Sequence, residues 1–265
     1  MPEMTDAPLA AGMPAGPKKK WYHLTVVEWL VIALIIAVLC ALLLPPVKSG
    51  GGGGARDRCK YKLKAIGLAL HNYHDANGTF PPAYIADEQG RPLHSWRVLL
   101  LPYLHQQQLF QEYRFDEPWN GPNNSLLASR IAAVYHCSAN HPKEQPLDER
   151  FTSYVAVVGP ETAWPGSESI TLKDVTDGTD KTLLVVEVAH SNIQWMEPRD
   201  MSLADAMAGI NNPTRPGISS PHKGGAHCLR VDGSVRFLSE KIPSDRLRAL
   251  LTRAGGETVG ESDLW

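Results

Sequence analysis

The chain predicts an α+β head carried on a single apolar N-terminal helix, and three observations carry that expectation. An apolar run, Leu24–Leu44, is broken only by Glu28. Helical periodicities occupy the stretch after it, and alternating β-branched runs fill the second half. Helices first and strands later favour an antiparallel sheet over an alternating parallel fold. Of the 265 residues, all but the first ~50 are left for one domain of ordinary size. Gly 22 and Pro 21 point to many turns. A net charge of −2 and pI of 6.5 leave no electrostatic footprint for nucleic acid.

Residues 1–23 read as a disordered leader that ends on the basic run Lys18-Lys19-Lys20. The 21 residues of Leu24–Leu44 would reach roughly 30 Å as a helix, the thickness of a bilayer's hydrocarbon core. Pro45-Pro46 ends the helix, so the membrane segment is 24–46. A cleaved signal peptide would have a shorter apolar core and a small-residue cleavage site. Here the run ends Leu-Leu-Leu-Pro-Pro, which favours a retained anchor. A buried core helix would be shorter or carry a polar face. Residues 47–55 hold Gly50–Gly54, and each glycine costs a helix about 1 kcal/mol against alanine. This stretch reads as a flexible tether.

The head is expected over 56–256, with 257–265 as a tail. Leu63, Ile66, Leu70 and Tyr73 recur at helical spacing, predicting an amphipathic helix over 56–76 that ends at Asn77-Gly78. Ser95 is the expected N-cap of a second helix running to about Tyr113, kinked at Pro102. Residues 125–133 suggest a short third one. Strands are expected over 152–158, 182–189, 193–196, 226–231 and 235–238. Asp232-Gly233 reads as a type I′ hairpin turn, in which both central residues take φ > 0. Residues 244–253, with Leu247, Leu250 and Leu251 on one face, predict a last helix stopped by Gly255-Gly256.

Leu24-Thr25-Val26-Val27-Glu28 before an apolar helix resembles the start of type IV prepilins and pseudopilins. In that class the fifth mature residue is a glutamate thought to pair with a neighbouring subunit's N-terminal amine. An intramembrane carboxylate is itself a functional hypothesis. The resemblance makes Leu24 the first mature residue and Glu28 the fifth, but His23 stands where a glycine is usual before the cut. The chain resembles the domain-of-unknown-function 1559 family over about 24–256. The resemblance is carried by Cys59 to Asp75, Gly78-Thr79-Phe80-Pro81-Pro82, Ser95 to Leu104, Asp116 to Asn120 and Thr152 to Gly159. It closes on His222, nine residues, then Asp232-Gly233, the H-x9-D-G signature associated with prepilin-type processing in that family. The family has no established activity. Pilin-like members continue the membrane helix into the head, whereas Gly50–Gly54 breaks it here.

Cys40 in the apolar run and Cys228 in an alternating run read as small buried hydrophobes, while Cys59 and Cys137 are the candidate pair for a disulfide in an oxidising compartment. His222 and Asp232 are the most specific pair for metal binding or proton transfer, but a hairpin after His222 would carry Asp232 to its tip, away from it. The bland alternative is a loop histidine and a turn aspartate. His71 and His74 lie one helical turn apart beside Asp75, as metal ligands or as hydrogen-bonded structural histidines. Asp174, Asp177 and Asp180 suggest calcium, or Asx turns, since the spacing lacks an EF-hand's full ligand set. Trp119, Trp164, Trp195, Tyr84 and Tyr154 are candidates for a glycan or peptide groove, or for the core.

No nucleophile elbow, phosphate-binding glycine loop or zinc Cys/His set is present in the sequence, so no enzyme and no cofactor is expected. Flanking charge alone would place the head in the cytoplasm, because Lys48, Arg56, Arg58, Lys60, Lys62 and Lys64 outnumber the three leader lysines. Long domains translocate largely regardless of such charge. The prepilin resemblance implies the opposite topology: a single-pass inner-membrane protein, N-terminus cytoplasmic, head periplasmic or extracellular. The expected partners are the bilayer and other pseudopilin-like subunits in a secretion or pilus-type assembly. The alternative is a tethered module that captures a solute or glycan.

Overall fold

The sequence order of helix, then mixed elements, then strands is what the computed structural model contains, over residues 25–43, 54–137, 139 and 150–257. By contacts the chain divides into two units, Met1–Ser49 and Gly50–Trp265. The leader with His23 and Leu24, most of the glycine tether and the tail from 258 lie outside the described residues.

In the first unit, helix α1 is Val26–Leu43. Thr25 and Glu28 close its N-terminus reciprocally. The Glu28 carboxylate accepts from the Thr25 N–H at 2.7 Å and from its hydroxyl at 3.0 Å, and the Glu28 N–H donates to Thr25 Oγ1. This is a capping box, which satisfies donors that the first turn leaves free. Among the described residues no helix is long and apolar enough to cross a membrane. The 18 residues of α1 span about 27 Å, against about 30 Å of hydrocarbon. Of the expected span 24–46 the structure describes 25–43, and Leu24, Leu44, Pro45 and Pro46 lie outside the described residues.

In the second unit, α2 is Gly54–Asn77, starting two residues before the expected helix, so Gly54 and Ala55 are helical, not tether. Its buried residues, Cys59, Leu63, Ile66, Gly67, Ala69 and Leu70, include Leu63, Ile66 and Leu70 of the predicted stripe, whereas Tyr73 is half-buried. A hairpin that the sequence did not suggest follows, β1 (Tyr84–Ala86) with β2 (Pro92–Ser95). Ser95 caps the next helix through Oγ, which accepts from the Arg97 N–H. The expected single helix is broken into α3 (Trp96–Leu99), a 3-10 turn Leu101–Leu104 and α4 (Gln107–Glu112). Pro102 has no N–H to give, and His105 turns left-handed at φ 59. Residues 125–133 form no α-helix, only 3-10 turns at Asn124–Leu127 and Ala133–Tyr135.

The main sheet is antiparallel with strand order β3-β5-β7-β8, comprising β3 (Tyr154–Val155), β5 (Leu183–Glu187), β7 (Gly225–Arg230) and β8 (Val235–Ser239). The run 152–158 does not stay in it. The Ala156 N–H donates to Asp200, and β4 (Val157–Val158) then pairs in parallel with β6 (Met201–Ser202). Residues 193–196 make only a single bridge at Gln194, because Asn192 is left-handed and the Ile193 N–H bonds Ser191 Oγ.

Alternation along β7 sends Leu229 to one core and Ala226 and Cys228 to the other. The first core contains the α2 stripe with Trp96, Trp164 and Trp195. The second contains α6 (Ser244–Leu251), through Leu247, Leu250 and Leu251, and the short helix α5 (Leu203–Ala206). The four-stranded sheet is thus covered on both faces. Helix α6 ends at Leu251, before the expected glycine stop, because Thr252 is extended. In the β7–β8 turn only Gly233 has positive φ, at 80°, so the expected type I′ geometry is replaced by a longer turn closed by Arg230 N–H to Ser234 O.

Candidate functional site

An acidic residue at the end of an apolar strand demands an explanation, because a buried carboxylate needs partners. Glu187 ends β5 and is fully buried. Its Oε2 accepts from the His227 N–H at 3.1 Å and lies 3.1 Å from His227 Nδ1 on the neighbouring strand β7. Its Oε1 has no hydrogen-bond partner and faces His222 Nε2 at 3.7 Å. The two imidazoles meet edge to face, 5.4 Å apart. Burial lowers the His222 pKa, and the Glu187 charge opposes that shift.

The same pocket contains sulfur. Cys59 near the start of α2 and Cys137 just after the 3-10 turn Ala133–Tyr135 form a disulfide, Cα to Cα 5.5 Å, closing a sequence separation of 78. Cys137 Sγ lies 3.9 Å from His222 Nε2. Two hydrogen bonds hold the backbone on either side: Cys137 N–H to Ser153 Oγ, and the Tyr154 hydroxyl to the Cys59 carbonyl. Among the described residues, donor atoms of Cys59, Cys137, Glu187 and His222 all lie within 4.8 Å of one another. Four distant chain segments meet there.

A family model described as a protein of unknown function, DUF1559, matches residues 55–212 and 191–245. The chain belongs to the DUF1559 family. Nothing matches among curated proteins or among solved structures. The match covers the DUF1559 head from α2 to the start of α6, and leaves α1 outside it.

Within this DUF1559 head the structure separates the two ends of the H-x9-D-G signature. His222 points to Glu187 and the disulfide, while Asp232 works inside its own turn. Asp232 Oδ1 accepts from the Ser234 N–H and hydroxyl, and Oδ2 pairs with Arg230. Gly233 supplies the left-handed φ and packs beside His71. His71 Nε2 donates to the Val231 carbonyl at 2.9 Å, and the His74 ring lies against Phe80. His71, His74 and Asp75 are not among the described groups that could share an ion.

The three aspartates of the calcium reading are likewise not among the described groups that could share an ion. Asp174 closes a capping box with Thr171, Asp177 accepts from the Gly255 and Gly256 N–H groups, and the Asp180 carbonyl receives Arg230. Of the aromatics read as groove or core, Trp164, Trp195 and Tyr154 are core residues, and Tyr84 and Trp119 are half-buried. Cys228 is buried in β7, and burial pushes its thiol up to about 12.

Sequence reasoning missed two features. Glu187 was legible as a lone carboxylate closing Leu183-Leu184-Val185-Val186. Arg97 and Asp200, both buried, form an ion pair that also receives the Trp96 indole N–H at 3.1 Å. Asp200 borders a cavity of about 300 Å³ with Arg199, Asp205 and Arg215 at its wall.

Proposed function

We propose that this chain is a non-enzymatic, membrane-anchored envelope protein of pseudopilin-like build. The apolar run 24–44 would lie in the inner membrane with its N-terminus cytoplasmic and its DUF1559 head in the periplasm or outside the cell. The observation that carries the reading is the buried Cys59–Cys137 disulfide, since such bonds persist in oxidising compartments. Helix α1 supports it: its described side chains are apolar apart from Glu28, and large ones such as Leu30, Leu34 and Leu39 stand exposed, as an anchor's would. Sibling pseudopilin-like subunits and lipid are the partners this reading calls for.

A second reading, a tethered head that captures a small polar solute, draws on two observations. The capping box gives Glu28 a local role that needs no neighbouring subunit. The cavity bordered by Arg199, Asp200, Asp205 and Arg215 is of a size and mixed polarity that suit a small polar solute. N-terminal sequencing of the membrane-extracted protein distinguishes the two. A methylated Leu24 start, with Glu28→Ala abolishing assembly, is the expected result. An intact N-terminus with Glu28→Ala behaving as wild type would remove the pseudopilin reading in favour of the tethered module.

A further inference from the structure

We propose that Cys59, Cys137, His222 and Glu187 form a redox-gated site for one divalent cation of the zinc class, closed as a disulfide and opened by reduction. The proposal stands on two independent observations. Four donor atoms converge within 4.8 Å, drawn from α2, the segment after Tyr135, the end of β5 and the loop before β7. One of them, the Glu187 carboxylate, is fully buried and has an oxygen with no hydrogen-bond partner.

That oxygen is unpartnered for a geometric reason. His227 occupies Oε2 with both its backbone N–H and its ring, which fixes the carboxylate and leaves Oε1 aimed at His222. This is how an outer partner orients a metal-bound carboxylate. Two thiolates, an imidazole and a carboxylate make a closed tetrahedral zinc set, and the soft sulfurs disfavour magnesium or calcium.

The chemistry balances in two steps. A dithiol reductant gives two electrons and two protons. Its sulfurs join in a new S–S bond while the Cys59–Cys137 bond breaks to two thiols. The cation then binds as both thiols release their protons, so the buried site gains two positive charges against two thiolates and Glu187. In the return step a disulfide oxidant takes the two electrons by thiol–disulfide exchange: its S–S bond breaks to two thiols, which take up two protons from solvent, while the Cys59–Cys137 bond re-forms and the cation leaves. The head would thus report the thiol state of its compartment as bound or free metal.

The test uses the full chain in detergent, reduced anaerobically with a phosphine, desalted and titrated with cobalt(II). The expected result is two newly titratable thiols and one cobalt per chain, with thiolate charge-transfer absorption and intense tetrahedral d–d bands. Zinc should displace the cobalt, and the oxidised chain should show no such bands. Cys59→Ser together with Cys137→Ser should abolish the charge-transfer band, and His222→Ala and Glu187→Gln should each weaken uptake by more than about tenfold. Cys228→Ser should change nothing. His222 is the least buried of the four, so its variant keeps the test valid if Glu187→Gln fails to fold. Absence of thiolate bands after reduction would overturn the proposal. Uptake insensitive to His222→Ala would do the same, as would a disulfide that no reductant opens in the folded chain.

Discussion

Gly225 lies so close to the Leu238 carbonyl across the β7–β8 ladder that a β-carbon on residue 225 would fall 1.8 Å from that oxygen. The atom in the way is backbone, so no rotamer change relieves the clash. Opening the strand pair there would disturb the Gly225–Ser239 register that starts the hairpin. Gly225→Ala should therefore cost about 3 kcal/mol through overpacking and strain. Tryptophan-fluorescence unfolding of the full chain in urea would read it, and an unchanged midpoint would contradict the close approach.

The disulfide closes a loop of 78 residues, and in the chain-entropy account such a constraint removes about 4 kcal/mol of freedom from the unfolded chain. Cys59→Ser with Cys137→Ser should lower head stability by about that amount, and a reductant should reproduce the loss in the wild type. Thermal unfolding with and without reductant checks both. A melting temperature indifferent to reductant would mean that the bond contributes little.

Arg97 and Asp200 pair in the core with both side chains almost fully shielded from solvent. Asp200 also holds the Ala156 N–H at 2.8 Å, the bond that diverts the chain from β3 into β4. Arg97→Ala leaves that carboxylate buried without its cation and should cost about 3–5 kcal/mol. Replacing the pair together, Arg97→Met with Asp200→Leu, should cost less than the sum of the single variants. A double-mutant cycle by urea unfolding measures the difference, and strict additivity would argue against a coupled pair.

Where the fold was legible, the signal was local. The α2 stripe, the Ser95 cap and the alternation from Ala226 to Val231 depend on neighbours within one or two turns or along one strand. Where it was not, a distant residue decided. Asp200 takes the Ala156 N–H from 44 positions away and splits a run that reads as one strand. Helix 95–113 breaks because Pro102 and a left-handed His105 act together. The candidate site shows the same limit. The H-x9-D-G spacing draws attention to Asp232, yet the carboxylate facing His222 is Glu187, brought there by the β5–β7 pairing. No spacing in one chain encodes that approach.

Acid should destabilise the head before the carboxylates titrate, and His94 is one source. It is almost fully buried, with Nδ1 2.9 Å from the Tyr113 hydroxyl. Burial lowers its pKa, and a hydrogen bond to the Phe115 backbone opposes that shift more weakly. With the folded value below the ordinary histidine value of about 6.5, the unfolded chain takes the proton first as pH falls. The contribution is then fully present above about pH 6.5 and is lost as pH falls through the folded value, at no more than about 1.4 kcal/mol per pH unit. Asp87, Glu112, Glu117 and Asp174 are held below their usual values and add their own losses only below about pH 4.5. Urea midpoints measured between pH 7.5 and 5 should fall for the wild type and fall less steeply for His94→Gln. Equal slopes would assign the acid sensitivity elsewhere.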